Sequence, residues 1–295
     1  MNTVPDAITE RSLYGKSLWQ HAFDRLRKNR AATISLGILV FMIILVIVGP
    51  LLSPHDFDRV YWDAFSQPPN ISKAHFFGTD SSGRDLFVRV LMGGRLSLMI
   101  GVISTAVSLL IGILYGAIAG FIGGKVDAVM MRIVDILYAL PFMFLVILLM
   151  VMFGRHIILI FVAIGAINWL DMARIVRGQT LSLKERTFVE AARSFGIKKR
   201  HIIFRHIIPN ILGIVAIYVT LTIPQVILAE SFLSFLGLGV QEPFTSWGAL
   251  VNEGAQELEV ALWTLMFPAF FLATTLFCFN FLGDGLRDAL DPKDY

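Results

Sequence analysis

Phe188-Val189-Glu190-Ala191-Ala192-Arg193-Ser194-Phe195-Gly196 is polar enough to lie in water, yet Pro209 soon afterwards opens another long apolar run. Phe188, Ala191, Ala192 and Phe195 fall at i, i+3, i+4 and i+7, so the spacing predicts a helix with one apolar stripe and two small residues at its centre. Small side chains there let another backbone approach closely. Gly196 predicts a left-handed stop, and Lys198, Lys199 and Arg200 complement the helix's negative end. Stripe spacing alone equally describes an ordinary amphipathic surface helix, so the weight falls on what surrounds it.

What surrounds it is apolar. The chain has 295 residues, of which 56% are hydrophobic and 16% charged, and its mean hydropathy is +0.72. The excess is concentrated in charge-free runs: 31–54, 97–124, 136–154, 157–170, 207–229 and 260–283. A helix needs about 20 residues, rising about 1.5 Å each, to cross the hydrocarbon core. Five runs meet or approach that length, and Ile157 to Leu170 must continue past Asp171 towards Val176. An all-α integral membrane protein of six transmembrane helices is therefore expected. Asp171 and Arg174, three apart, are expected to pair at the end of the fourth.

Lys and Arg set the orientation, because retained loops are enriched in them. With the amino terminus inside, nineteen fall on the cytoplasmic side, nine of them between Arg174 and Arg205, and six fall outside. Both termini are thus expected in the cytoplasm. The divisions follow: a cytoplasmic lead 1–30, span one 31–54, an outside loop 55–96, a transmembrane core 97–283 containing the cytoplasmic loop 177–206, and a cytoplasmic tail 284–295. The lead has an amphipathic helix from Leu18 to Leu26 or else is a plain tether. The outside loop, long for a connection, suggests a structured element. The first apolar run reads as an uncleaved signal anchor.

The net charge of +3 follows from this topology, and no basic patch interleaved with aromatics calls for nucleic acid. The single Cys278 offers no disulfide or metal framework. Pro141 and Pro224 remove backbone donors inside spans three and five, and are expected to kink them and to shape a pathway. Gly112 and Gly116 predict tight helix packing, within the chain or against a partner.

With nine residues between Gly196 and His206, and with Ile208 and Pro209 following, the Glu190-Ala191-Ala192 stretch resembles the signature loop of ATP-binding-cassette importer permeases. His206 and Ile208 depart from that loop's usual Ile and Leu, in the form of its oligopeptide and dipeptide branch. Three further strings resemble the C-type permease of that branch: Phe77 to Asp85, Phe232 to Gly239 and Asn280 to Asp288. The likeness continues through Gln241-Glu242-Pro243, Ser246-Trp247-Gly248 and Asp291-Pro292-Lys293.

The resemblance implies a type I importer permease fold and one half of a channel. It implies pairing with a homologous permease subunit in the lipid of a bacterial inner membrane, two cytoplasmic ATPase subunits docked on the two loops, and a periplasmic peptide-binding protein outside. Phe188, Glu190, Ala191, Ala192, Phe195 and Gly196 would form the coupling loop. ATP and Mg would sit on the ATPases, with no cofactor on this chain. Gly120 to Lys125 lacks the Gly and the Ser or Thr of a P-loop. Oligopeptide cargo is the leading reading; dipeptides, murein peptides and nickel stay open.

Charges within spans are costly and mark sites. Asp135 is expected to pair with Arg132. Glu230 has no local basic partner and is the candidate for lining the path or gate, with capping or hydrogen bonding to a neighbouring span about as good a reading. His206 has no second ligand at helical spacing and reads as structural. An intramembrane enzyme is disfavoured because His-Glu-x-x-His and Gly-x-Ser-x-Gly are absent. A secondary transporter is disfavoured because midplane coupling acids and internal repeats are not evident.

Overall fold

The computed structural model describes residues 18–154 and 157–290, so the expected lead before residue 18, Asp291-Pro292-Lys293 and the end of the tail lie outside the described residues. The described elements are helices: α1 (Leu18–Lys28), α2 (Arg30–Leu52), α3 (Leu86–Ile122), α4 (Gly124–Ala139), α5 (Phe142–Phe153), α6 (Ile157–Leu183), α7 (Thr187–Ser194) and α8 (Lys199–Ile202). A π-helical turn, Ile203–Ile207, then leads into α9 (Ile208–Phe235), followed by α10 (Trp247–Gln256) and α11 (Leu262–Leu290).

Four helices, α2, α3, α11 and α9 with its α8 lead-in, are long and apolar enough to cross a membrane, and the pair α4 and α5 makes a fifth when counted as one span. The remaining expected span, the fourth along the chain, is α6, which runs on past Asp171 to Leu183, 27 residues in all. The third is broken, not merely kinked. Leu140 and Pro141 stand between α4 and α5, and the axes of Gly124–Ala139 and Phe144–Phe153 differ by 86°. Pro141 cannot donate into a continuing helix and pushes Leu140 into an extended conformation, ψ 134°. Pro224, in contrast, lies buried within an uninterrupted α9.

α3 starts at Leu86, well before its charge-free stretch, and so shortens the expected outside loop. Asp85 caps it, accepting from Val88 N–H at 2.9 Å. Arg89 and Arg95 fit inside the helix because both find acceptors. Pro50 in α2 cannot bond the carbonyl of Val46, and Arg95 Nε donates to that oxygen instead at 2.6 Å.

The closest helix pair is α3 with α6. A Cβ on Gly112 would sit 2.6 Å from that of Met172, one on Gly120 would sit 2.8 Å from the carbonyl of Arg177, and one on Gly116 would strike the carbonyl of Ala173. The small-residue stripe therefore packs within the chain, where absent side chains let two backbones meet. Cys278 is buried in α11 against the core of α2, α3 and α9. α1 packs on the end of α11, where Gly285 meets Ala32 and Leu26, so the lead helix is docked and is not a tether.

Candidate functional site

α7 sits at the end of the bundle formed by the close of α6 and the start of α9. Val189 and Ala192, at i and i+3, turn inward into a cluster with Phe121, Val176, Ile202 and Ile207, and are 0% and 5% exposed. Phe188, Ala191 and Phe195 turn outward, and the two rings are 41% and 84% exposed. The expected single stripe is thus divided: Ala192 belongs to the anchoring face and Val189 joins it, which the spacing analysis missed. Two exposed aromatics on one face of an anchored helix suit a surface that a partner covers.

Gly196 ends the helix with φ +70°. Its N–H reaches the carbonyl of Arg193 at 2.9 Å, and Ile197 N–H reaches that of Ala192 at 3.2 Å, the paired bonds of a Schellman stop. Ile197 packs on the same cluster as Ala192. Glu190, exposed in the first turn, complements the helix's positive end. The base is fixed too: Arg177 holds Asp127 by two hydrogen bonds of 2.5 and 2.6 Å, joining α6 to α4. The π turn brings His206 to 6.5 Å from the Phe188 ring.

The opposite end is closed by charge. Asp80, Arg84 and Arg89 meet Glu242 and Glu253 from the α9–α11 connection. Arg84 reaches Asp80 at 2.8 Å and Glu242 at 2.7 Å; Arg89 reaches Asp80 at 3.1 Å and Glu253 at 2.9 Å. The Arg84 hydrogen bond holds the Glu242 carboxyl below its ordinary range, whereas burial pushes that of Glu253 up against the pull of Arg89. The segment before α3 is folded onto this cluster: Phe77 stacks on Phe267 at 3.9 Å, and Trp263 donates to the carbonyl of Thr79 at 3.2 Å. His55 and His75 stack at 4.3 Å beside Asp85. His55 already bonds Tyr61 and the Lys73 carbonyl, and His75 bonds Asp85, so these nitrogens serve the loop's own structure.

Glu230 is fully buried. It accepts from Ser234 at 2.6 Å and lies 3.4 Å from Ser97, which in turn accepts from Trp247 N–H at 3.1 Å. The carboxylate joins α9, α3 and α10, and in this conformation no cargo could touch it. The two expected ion pairs re-partner: Asp135 bonds Arg174 at 2.9 Å, not Arg132, and Asp171 is left without that arginine.

Residues 112–293, more than half of the chain, match the family described as binding-protein-dependent transport system inner membrane component. The chain belongs to that family. Residues 17–69 also match the N-terminal TM domain of oligopeptide transport permease C. The chain is 62% identical over 280 residues to the oligopeptide transport system permease protein OppC of Escherichia coli (strain K12), covering 95% of this chain and 93% of that one. It is 58% identical over 291 residues to the protein of the same name from Haemophilus influenzae, covering 99% and 94%. It is 47% identical to the dipeptide transport system permease protein DppC of Bacillus subtilis over 99% of this chain and 90% of that one. As a transport system inner membrane component, the chain is a permease subunit and not an enzyme.

Proposed function

We propose that this permease forms half of an oligopeptide import pathway in an inner membrane and is driven through α7 by partner ATPases. The observation that carries the reading is the divided α7 helix: Val189 and Ala192 bind it to the bundle, while Phe188, Ala191 and Phe195 offer an apolar face left exposed among the described residues. A rigid helix held in that way passes a push from outside into α6 and α9 as a rigid-body shift. The Lys and Arg count supports placing α7 and both termini in the cytoplasm.

One homologous permease completes the channel, and two ATPase subunits, which bind ATP and Mg, take the two α7 faces. A peptide-binding protein delivers cargo at the opposite end, where Trp62 and Ile71 stand 80% and 85% exposed on the segment before α3. Oligopeptide cargo is supported by the full-length likeness to two oligopeptide permeases.

The test is peptide-dependent ATP hydrolysis and uptake in proteoliposomes holding the complete importer. Tripeptides and longer peptides should stimulate both, and Glu190→Ala should abolish the stimulation while the complex still assembles. Stimulation by dipeptides alone would overturn the cargo, and normal stimulation with Glu190→Ala would overturn its role in coupling.

A further inference from the structure

Two hollows of about 420 and 410 Å³ lie side by side along α6, sharing Asn168 and Asp171 in their walls. Tyr218, Thr222 and Gln225, at i, i+4 and i+7 of α9, line the first, and the broken stretch Leu140-Pro141 lines the second. Asp171 is the fifteenth of the 27 residues of α6, about 20 Å from either end at 1.5 Å per residue. Asp171 thus lies mid-helix, just past the apolar run that ends at Leu170 and within the span expected to continue to Val176.

Three observations converge on it. First, Asp171 is exposed and, among the described residues, has no hydrogen bond or ion pair; its neighbour Arg174 is held by Asp135 and lies 4.2 Å over the ring of Tyr138. An ionised carboxylate facing hydrocarbon is expensive, so this face meets water, protein or cargo, and its charge disfavours an anionic headgroup. Second, Gln225 is exposed within α9 and equally unpartnered among the described residues. Asn168 donates its amide N–H to the carbonyl of Ile164 at 2.9 Å, and among the described residues its oxygen has no partner. Third, non-helical backbone at membrane depth is tolerated where it lines a cavity, and Leu140-Pro141 is such a break, 45% exposed at Leu140.

We infer that Asp171 receives the protonated amino terminus of the passing peptide, while Asn168, Thr222, Gln225 and the backbone at Leu140 hydrogen-bond its main chain. This rests on the peptide-import reading and adds to it the subsite and the group recognised. The chemistry suits a cargo of varied sequence. An amino terminus and amide groups are common to all linear peptides, and none of these contacts reads a side chain. Glu230, the acid that sequence reasoning placed on the path, is buried in the α3–α9–α10 junction; Asp171 is the acid that stands open.

The experiment uses the complete importer with its binding protein in proteoliposomes and a tripeptide with a free amino terminus as probe. Asp171→Asn should lower uptake about tenfold or more, the scale of one charge-assisted hydrogen bond, while Asp171→Glu stays within about threefold of the parent because the charge is kept. In a Cys278→Ser background, a charged thiol reagent should modify Asp171→Cys and Gln225→Cys, peptide under turnover should protect both, and Leu110→Cys, exposed on α3 outside both hollows, should stay unmodified. Parental uptake by Asp171→Asn, equal losses in Asn and Glu variants, or no modification at either cysteine would overturn the subsite. Separation of Asp171→Asn from the partner permease in detergent would also overturn it and make Asp171 an interface ion-pair residue. A parent complex that imports no peptide would instead overturn the function on which the subsite rests.

Discussion

The two ends of the bundle handle their exposed chemistry in opposite ways. At the end carrying the segment before α3, Asp80, Arg84, Arg89, Glu242 and Glu253 are drawn from three parts of the chain and pair with one another. At the α7 end, Phe188 and Phe195 are presented outward and stay exposed among the described residues. The difference teaches where rigidity and where docking are asked of this molecule. The charge cluster ties α3 to the α9–α11 connection whether or not another protein is present. The α7 face gains its stabilisation only when a partner removes it from water.

The largest expected effect tests the closed end. Arg89→Ala removes the more buried of the cluster's two cations and leaves Arg84 alone against Asp80 and Glu253, and Arg89 and Asp80 side chains are 4% and 5% exposed. Breaking a buried pair by removing one partner costs about 3–5 kcal/mol, so detergent-solubilised protein should unfold at a markedly lower temperature. An unchanged transition would mean that the cluster does not hold this end together.

Phe188→Ala with Phe195→Ala should do the reverse. Both rings are exposed, so the free subunit should change by about 0.5 kcal/mol or less, whereas affinity for the ATPases should fall by about 2 kcal/mol or more, as for buried aromatic anchors. Pull-down and thermal unfolding on the same preparation separate the two outcomes. A free subunit that unfolds early would erase the contrast between the ends.

Gly196→Val sharpens it at the level of backbone. A Cβ there would meet no atom within 4 Å, so only the left-handed φ of +70° resists the substitution. A branched residue in that region costs about 1–3 kcal/mol. Amide exchange over residues 187–197 should accelerate and ATP coupling should weaken, while the charge cluster at the far end stays protected.

Glu242→Gln has the smallest effect. Its side chain is 68% exposed, so the pair with Arg84 contributes under about 1 kcal/mol. The folded carboxyl is held below its ordinary range by that arginine, so its contribution is present above the unfolded carboxylate pKa of about 4.3 and is lost as pH falls through the depressed value. Parent and variant should therefore differ slightly at neutral pH and converge in acid. A difference that grows on acidification would reverse the assignment.

Much of this was legible along the chain, because a membrane restricts the alternatives. Charge-free runs of span length become helices, since backbone groups in hydrocarbon must be bonded internally. The stop at Gly196 was equally legible, as a left-handed residue after a short helix asks for glycine. The pairing of charges was not. Asp135 was assigned to Arg132 and Asp171 to Arg174 by proximity in sequence, and the structure joins Asp135 to Arg174 across two helices. The early start of α3 escaped for the same reason: Arg95 reads as a boundary until Pro50, far back in α2, leaves it a carbonyl to bond.

Local order along the chain was enough to establish the helical class, the broken third span as a proline position, the α7 helix with its stop, and membership in a permease family. Only tertiary packing decided which face of α7 is anchored, that the Gly112, Gly116 and Gly120 stripe closes on α6, that Glu230 is sealed among serines, and that Asp171 is left open. The physical reason is that helix periodicity and hydropathy are set within a few turns, whereas burial and charge pairing depend on which distant helix arrives alongside.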